Sequence, residues 1–242
     1  MPGEKIALIT GANKGLGFEI ARQLAEQGTI VLLGARDEVR GKQAAGSLTA
    51  RGLSAVPLRI DVTDSTSIAS AASEIRQQHG RLDILVNNAG ISGSLTGPPS
   101  EATPDQMREV YDTNVFGVVA VTNAMLPLLR LSAAGRIVNM SSHVGSLTLS
   151  SDPGSEFRHL NVITYQSSKT ALNAITVAYA RELRATRIKV NAANPGLTAT
   201  DLNNHRGDRA AEQGAMIAVR LATLGPEGPT GTSQDENGSV PW

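Results

Sequence analysis

An apolar, β-branched run, Lys5 to Thr10 (KIALIT), passes straight into TGANKGLG (Thr10 to Gly17). That junction limits the fold more than any other stretch. A strand that turns on glycines into a helix brings backbone amides and a helix N-terminus up to a pyrophosphate. Gly11 permits the tight turn, Gly15 lets backbone approach the phosphates, and Gly17 lets the helix pack close. Asn13, Lys14 and Leu16 stand between them as further candidate contacts. The spacing is G-x-x-x-G-x-G, not the commoner G-x-G-x-x-G, so the strand-to-helix context carries the reading. A phosphate-transfer loop is unsupported, because the Gly41-Lys42 pair is followed by Gln43 and not by Ser or Thr.

The same rhythm continues along the chain. Strands are predicted at Lys5 to Thr10, Ile30 to Leu33, Ala55 to Ile60, Leu82 to Asn87, Arg136 to Met140 and Arg187 to Ala192. Helices are predicted at about Gly17 to Glu26, stopped by Gly28, then Glu38 to Ala50, Ser65 to His79, Pro104 to Leu131 with a kink or break at Pro127, and Val162 to Ala185. Near-continuous apolar strands alternating with helices imply an α/β fold, a single doubly wound parallel sheet of the Rossmann type covered on both faces. Gly225 to Trp242 reads as a short edge strand or hairpin closing that sheet.

At 242 residues, 40% hydrophobic, with no linker or repeat, the chain suits one oxidoreductase-sized domain over 1–242. Lys+Arg and Asp+Glu are each 22, so no net basic field points to nucleic acid or to a membrane surface. No leader-like N-terminus or bilayer-length apolar stretch stands out, and a cytoplasmic setting is expected. Cysteine is absent, which removes thiol catalysis and cysteine-ligated zinc. His79, His143, His159 and His205 lack ligand spacing, so no metal is expected.

The end of the second strand discriminates between nicotinamide cofactors, since an NAD-type site wants a carboxylate there for the ribose hydroxyls. In GARDEVRG (Gly34 to Gly41), Ala35 takes that place, Arg36 follows, and Arg40 lies one turn on. Lys14 and Asn13 are expected to face the same spot, and converging cations suit a 2′-phosphate, hence NADPH. Asp37 is the rival, either as the ribose acid or as the N-cap of the next helix.

Tyr165 and Lys169, in TYQSSK, share one helical face. A phenol ordinarily titrates near pH ~10. An ammonium at ~4 Å in a medium of effective dielectric ~20 favours the phenolate by about 4 kcal/mol. That is roughly three pKa units before desolvation is subtracted. The pair is therefore expected to exchange protons near neutral pH.

These stretches together resemble the short-chain dehydrogenase/reductase family. TGANKGLG, NNAG (Asn87 to Gly90), Asn114 in TNVFG, Ser142 in NMSS, YQSSK and NPG (Asn194 to Gly196) occur in that family's order over almost the whole chain. GANKG and the ARDxxRG run are most similar to the NADPH-dependent carbonyl reductases. The resemblance implies that Asp61 and Val62 border the adenine and that Asn88, Ala89 and Gly90 border the adenosine-side ribose. It also implies that Pro195, Gly196, Thr198 and Thr200 contact the nicotinamide side. Asn114, Ser142, Tyr165 and Lys169 become the implied catalytic set. Tyr165 donates the proton, Ser142 holds the carbonyl oxygen, Lys169 tunes Tyr165 and binds ribose, and Asn114 holds a water for reprotonation. The resemblance prefers Ser142 to Ser141, the second serine of this motif being the one the family usually employs, and strand alternation lets only one of the two face the cofactor.

The expected reaction is NADPH-dependent reduction of a ketone or aldehyde. NAD-dependent alcohol oxidation and a non-catalytic NADP(H) sensor are the alternatives. Ser142 and Tyr165 are 23 residues apart, longer than in compact family members, with Leu149 to Asn161 as the excess. That segment puts the family's common tetramer in doubt and favours a monomer or homodimer. His143 is expected to be a pocket wall, Ser92 and Ser94 to shape the loop after NNAG, and about 197–215 to form a substrate lid.

Overall fold

The computed structural model describes residues 4–93 and 97–242. Ser94 lies outside them. Seven strands lie parallel: β1 (Ile6–Thr10), β2 (Ile30–Ala35), β3 (Ala55–Arg59), β4 (Ile84–Asn87), β5 (Arg136–Met140), β6 (Lys189–Ala193) and β7 (Ser233–Asp235). An antiparallel β8 (Gly238–Val240) closes the order β3-β2-β1-β4-β5-β6-β7-β8. The C-terminal hairpin is thus real, and it adds an antiparallel pairing to an otherwise parallel sheet.

Among the described residues, eight α-helices connect the strands: α1 (Gly15–Glu26), α2 (Glu38–Thr49), α3 (Ser65–His79), α4 (Pro104–Tyr111), α5 (Gly117–Leu129), α6 (Leu147–Ser151), α7 (Ile163–Glu182) and α8 (Ala211–Ala222). Strand alternation sorts the apolar side chains between two cores. Ala7 and Ile9 join Ile20 and Leu24 of α1, Leu48 of α2 and Ala218 of α8 on one face. Ile6 and Leu8 join Ile75 of α3, Met125 and Leu128 of α5 and Ala180 of α7 on the other. The sheet is doubly wound.

Three expectations change. Pro127 does not break its helix. It sits in the last turn of α5, which runs on through it to Leu129, while the irregularity is a π-helical turn at Asp112–Phe116. The segment expected at about 197–215 as a substrate lid is not all loop, because α8 begins at Ala211 and its apolar side joins the core beside α1. Pro104–Leu129 is, among the described residues, a helical run long and apolar enough to cross a bilayer by length and composition. The buried Val121, Met125, Leu128 and Leu129 of α5 instead pack on the sheet.

Candidate active site

α7 crosses the carboxyl end of β5 with Tyr165 and Lys169 on its inward side. Lys169 is 5% exposed, and its Nζ donates to the Met140 carbonyl at 2.7 Å. The same nitrogen stands 5.4 Å from the Tyr165 ring centroid. Just past β5, alternation separates the two serines. The Ser141 hydroxyl turns inward and donates to Asn173 at 2.6 Å, while Ser142 is hydrogen-bonded to Tyr165. Asn173 and Thr170 both donate to the Gly145 carbonyl, at 3.1 and 3.0 Å, which pins the turn after Ser142 to α7. Gly145 must stay bare, since a β-carbon there would come 2.8 Å from Lys169 Cβ. Beneath, a buried polar chain runs from Thr122 through Asn87 and Asn139 to Thr176, with contacts of 3.1, 2.9 and 2.9 Å, and fixes α5 and α7 to the sheet.

The electrostatics correct one expectation. Burial pushes the Tyr165 phenol up to about 12, with the Ser142 hydrogen bond pulling the other way. Burial also brings the Lys169 ammonium down to about 8. Desolvation disfavours the charged form of each group, and here it outweighs their mutual effect. The ammonium addresses a carbonyl and the ring face, not the phenolic oxygen. Without a ligand the phenol is firmly protonated at neutral pH.

Asn114 occupies the π turn and is fully buried. Its Oδ1 accepts from the Ile91 amide at 2.9 Å, and its Nδ2 donates to the Ile91 carbonyl at 2.8 Å and to Ser168 Oγ at 3.0 Å. Ser168 in turn donates to the Tyr165 carbonyl at 2.7 Å. Both amide hydrogens are spent on protein partners, so only the second lone pair of Oδ1 and the main chain are left for a water.

The glycine turn closes against NNAG. Gly11 and Gly15 have φ of 64° and 56°, and a β-carbon on Gly11 would sit 3.0 Å from Ala89 Cα. One on Gly17 would run into Asn88 Nδ2 and lie 2.5 Å from the Gly11 carbonyl oxygen. Asn88 Nδ2 donates to the carbonyls of Thr10 and Gly11 at 2.8 and 3.2 Å, and Thr10 Oγ1 accepts the amides of Asn88 and Ala89, both at 3.0 Å. No side chain caps the start of α1. A bare backbone cradle at an uncapped helix N-terminus fits a dinucleotide pyrophosphate. Gly90 adjoins both halves of the site, since its β-carbon would lie 3.2 Å from Asn114 Oδ1 and 3.8 Å from Lys169 Nζ.

The family model for short chain dehydrogenase matches residues 5–211. The chain belongs to the short-chain dehydrogenase/reductase family. It is similar to the short-chain dehydrogenase anuI of Penicillium roqueforti, at 39% identity over 91% of this chain and 89% of the relative. It is 33% identical to the carbonyl reductase [NADPH] 1 of Bos taurus over 98% of each chain. That alignment spans 278 positions against 242 residues here, so the bovine protein carries segments this short-chain dehydrogenase lacks. The NADPH-bound carbonyl reductase from chicken fatty liver superposes with a TM-score of 0.86, at 26% identity, over 99% of both chains. The chain is an oxidoreductase of a family with reductase-named members.

In this short-chain dehydrogenase the expected cluster of cations does not assemble. Lys14 pairs with Asp201 across the cleft, and Arg40 turns back to Asp37 at 3.6 Å. Both are solvent-exposed side chains, free to choose nearby carboxylates. Asp37 caps α2, accepting the Arg40 amide at 3.0 Å. Arg36 remains exposed past Ala35 and near enough to Asp61 to help hold that carboxyl low. Asp61 itself accepts from the Thr63 amide and hydroxyl at 3.0 and 2.8 Å, the main cause of its lowered pKa. Val62 packs between α5 and the sheet, and Leu16 packs against Gly214 of α8. Asn13 is half-buried in the turn.

Past β6, Gly196 has φ of 73° and would meet Arg209 if substituted, and Thr198 Oγ1 donates to the Pro195 carbonyl at 3.1 Å. Thr200 lies 3.7 Å from the β-carbon position of Gly15. The next segment folds over the cleft. Asp201 joins Lys14 and His205, the latter at 2.8 Å, while Ser92 Oγ donates to the Leu202 carbonyl at 3.0 Å. Thr10, Ser168, Asn173 and Asp201 are site residues that the sequence motifs do not single out. Thr10 and Ser168 lie inside the quoted motifs, but their partners are distant in sequence. A separate groove of about 480 Å³, lined by Tyr111, Leu147, Ile163 and Ala171, opens on another face of α7.

Proposed function

We propose that this protein reduces a ketone or aldehyde to the alcohol with NADPH, Tyr165 donating the proton. The observation that carries the reading is the convergence of Tyr165, Ser142 and Lys169 at the carboxyl edge of the sheet, beside the bare glycine cradle. A bound NADPH supplies the hydride. Ser142 and Tyr165 offer hydroxyl donors to one carbonyl oxygen, which stabilises the charge that develops there. Tyr165 surrenders its proton to the forming alkoxide, a much stronger base than a phenolate. Lys169, charged below about pH 8, stabilises the phenolate left behind. The raised Tyr165 pKa keeps the phenol protonated at neutral pH, the form from which reduction starts. With Ala35 in the ribose-acid position and Asp37 engaged as a cap, Arg36 is the residue we assign to the 2′-phosphate.

Tyr165→Phe tests the assignment. Loss of a general acid costs about 10²–10⁴ in rate. NADPH oxidation over a panel of ketones, aldehydes and quinones should fall by that factor with NADPH affinity and folding retained. A variant with near-normal turnover would remove Tyr165 from the mechanism. Tight NADPH binding by the wild type, with no turnover on any carbonyl, would favour a sensor.

A further inference from the structure

His143 directly follows Ser142, yet the proton chemistry does not use it. Its Nε2 meets Asp235 Oδ2 at 2.9 Å, and its ring stacks on Phe157, with centroids 5.6 Å apart and planes inclined by 19°. Both partners are firmly seated. Asp235 Oδ1 accepts the amides of Asn237 and Gly238 at 2.8 and 3.0 Å, and the Asp235 carbonyl accepts from Arg220 at 2.5 Å. Phe157 belongs to a short 3₁₀ turn, Glu156–His159, in the segment before Tyr165. That segment is held at its start as well, where the Thr148 amide and hydroxyl donate to the Trp242 carbonyl at 3.1 and 2.7 Å. Further along, Gln166 Nε2 donates to Ser150 at 3.0 Å.

The C-terminal hairpin therefore grips the pre-tyrosine segment at two points, and at the second the grip passes through His143. An imidazole suits the task because it stacks by its face and hydrogen-bonds by its edge at once. Phenylalanine could only stack, and glutamine could only hydrogen-bond.

We propose that His143 is a positioning residue, whose clamp between Asp235 and Phe157 holds residues 147–160 as a wall over the carbonyl-binding side of the site. The inference rests on the reductase reading for its kinetic consequence and not for its structural one. Trypsin supplies the structural readout, because Arg158 is exposed in the clamped turn. His143→Ala and Phe157→Ala should each speed cleavage at Arg158 about tenfold or more, since proteolysis follows local opening. Phe157→Tyr, which keeps the stack, should restore protection.

On carbonyl substrates, His143→Ala and Phe157→Ala should raise KM about tenfold with kcat within about threefold and the KM for NADPH unchanged, the mark of lost ground-state positioning. Using both variants guards against His143→Ala misfolding. Unchanged cleavage at Arg158 in Phe157→Ala overturns the clamp. A fall in kcat at constant KM also overturns it, placing His143 in the chemistry. If the wild type turned over no carbonyl, the reductase reading would fail while the cleavage result still decided the clamp.

Discussion

Replacing Lys169 with methionine keeps its aliphatic stem and removes the ammonium buried under Tyr165. Burial lowers that ammonium from 10.5 to about 8, and at about 1.4 kcal/mol per pH unit the gap is worth about 3 kcal/mol. Below pH 8 the amine is charged in folded and unfolded chains alike, and the folded chain bears the full desolvation cost. Between about 8 and 10.5 the unfolded chain holds a proton that the folded chain has released, so stability rises with pH. Tyr165, at about 12 against an ordinary 10, works in the opposite direction only above that ordinary value, and both proteins contain it. Urea melts of wild type and Lys169→Met over a pH series should show the difference moving toward the wild type by about 3 kcal/mol through this window. The kcat/KM for reduction by the wild type should decline above about pH 8 as the charge is lost. A stability difference flat with pH would refute the buried, desolvated ammonium. A difference of opposite slope would mean that a partner holds the charge in place.

Two further substitutions probe the cofactor side. Gly17→Ala places a β-carbon against Asn88 Nδ2 and the Gly11 carbonyl, so the turn must open. Overpacking plus strained polar contacts should cost about 3 kcal/mol in a urea melt, with NADPH binding weakened by about tenfold or more; stability and affinity within error of wild type would show that the cradle is not rigid. Arg36→Asp should lower the NADPH-to-NADH ratio of kcat/KM by about 100-fold, the equivalent of a charge-assisted contact of about 3 kcal/mol; an unchanged ratio would move the 2′-phosphate away from Arg36.

The strand–turn–helix junction and the sheet were legible because period and glycine placement are local signals; strand alternation separated Ser141 from Ser142, and the family resemblance chose Ser142. Other features depended on partners far away in the chain. Pro127 looks like a breaker in any sequence window, but α5 runs on past it to Leu129, and the π turn that holds Asn114 leaves no local signature. Lys14 looks free in the sequence, and only the fold brings Asp201 to it from 187 residues away. α8 carries a readable apolar face in Ile217, Val219 and Leu221, but its packing against α1 rests on Gly214 and alanines, whose partners are far away in the chain. Their smallness is what lets the helix lie close to Leu16 and Thr198.

The pKa of Tyr165 departs from expectation for a related reason. A helical spacing of four fixes which side chains are neighbours, but not which atoms meet. Lys169 gives its best hydrogen bond to Met140 and shows Tyr165 only the ring face, so Coulomb attraction at the phenolic oxygen is weak while both groups bear the full cost of burial. Desolvation pushes each group toward its neutral form, so at neutral pH the phenol keeps its proton beside an ammonium that burial has made easier to discharge. That state is suited to giving a proton and poorly suited to taking one. In the reduction we propose, a carbonyl oxygen gaining negative charge beside Ser142 and Tyr165 would reverse the balance, because the emerging alkoxide competes for the proton more strongly than desolvation protects it. On that proposal the phenol would stay idle until a substrate creates the demand.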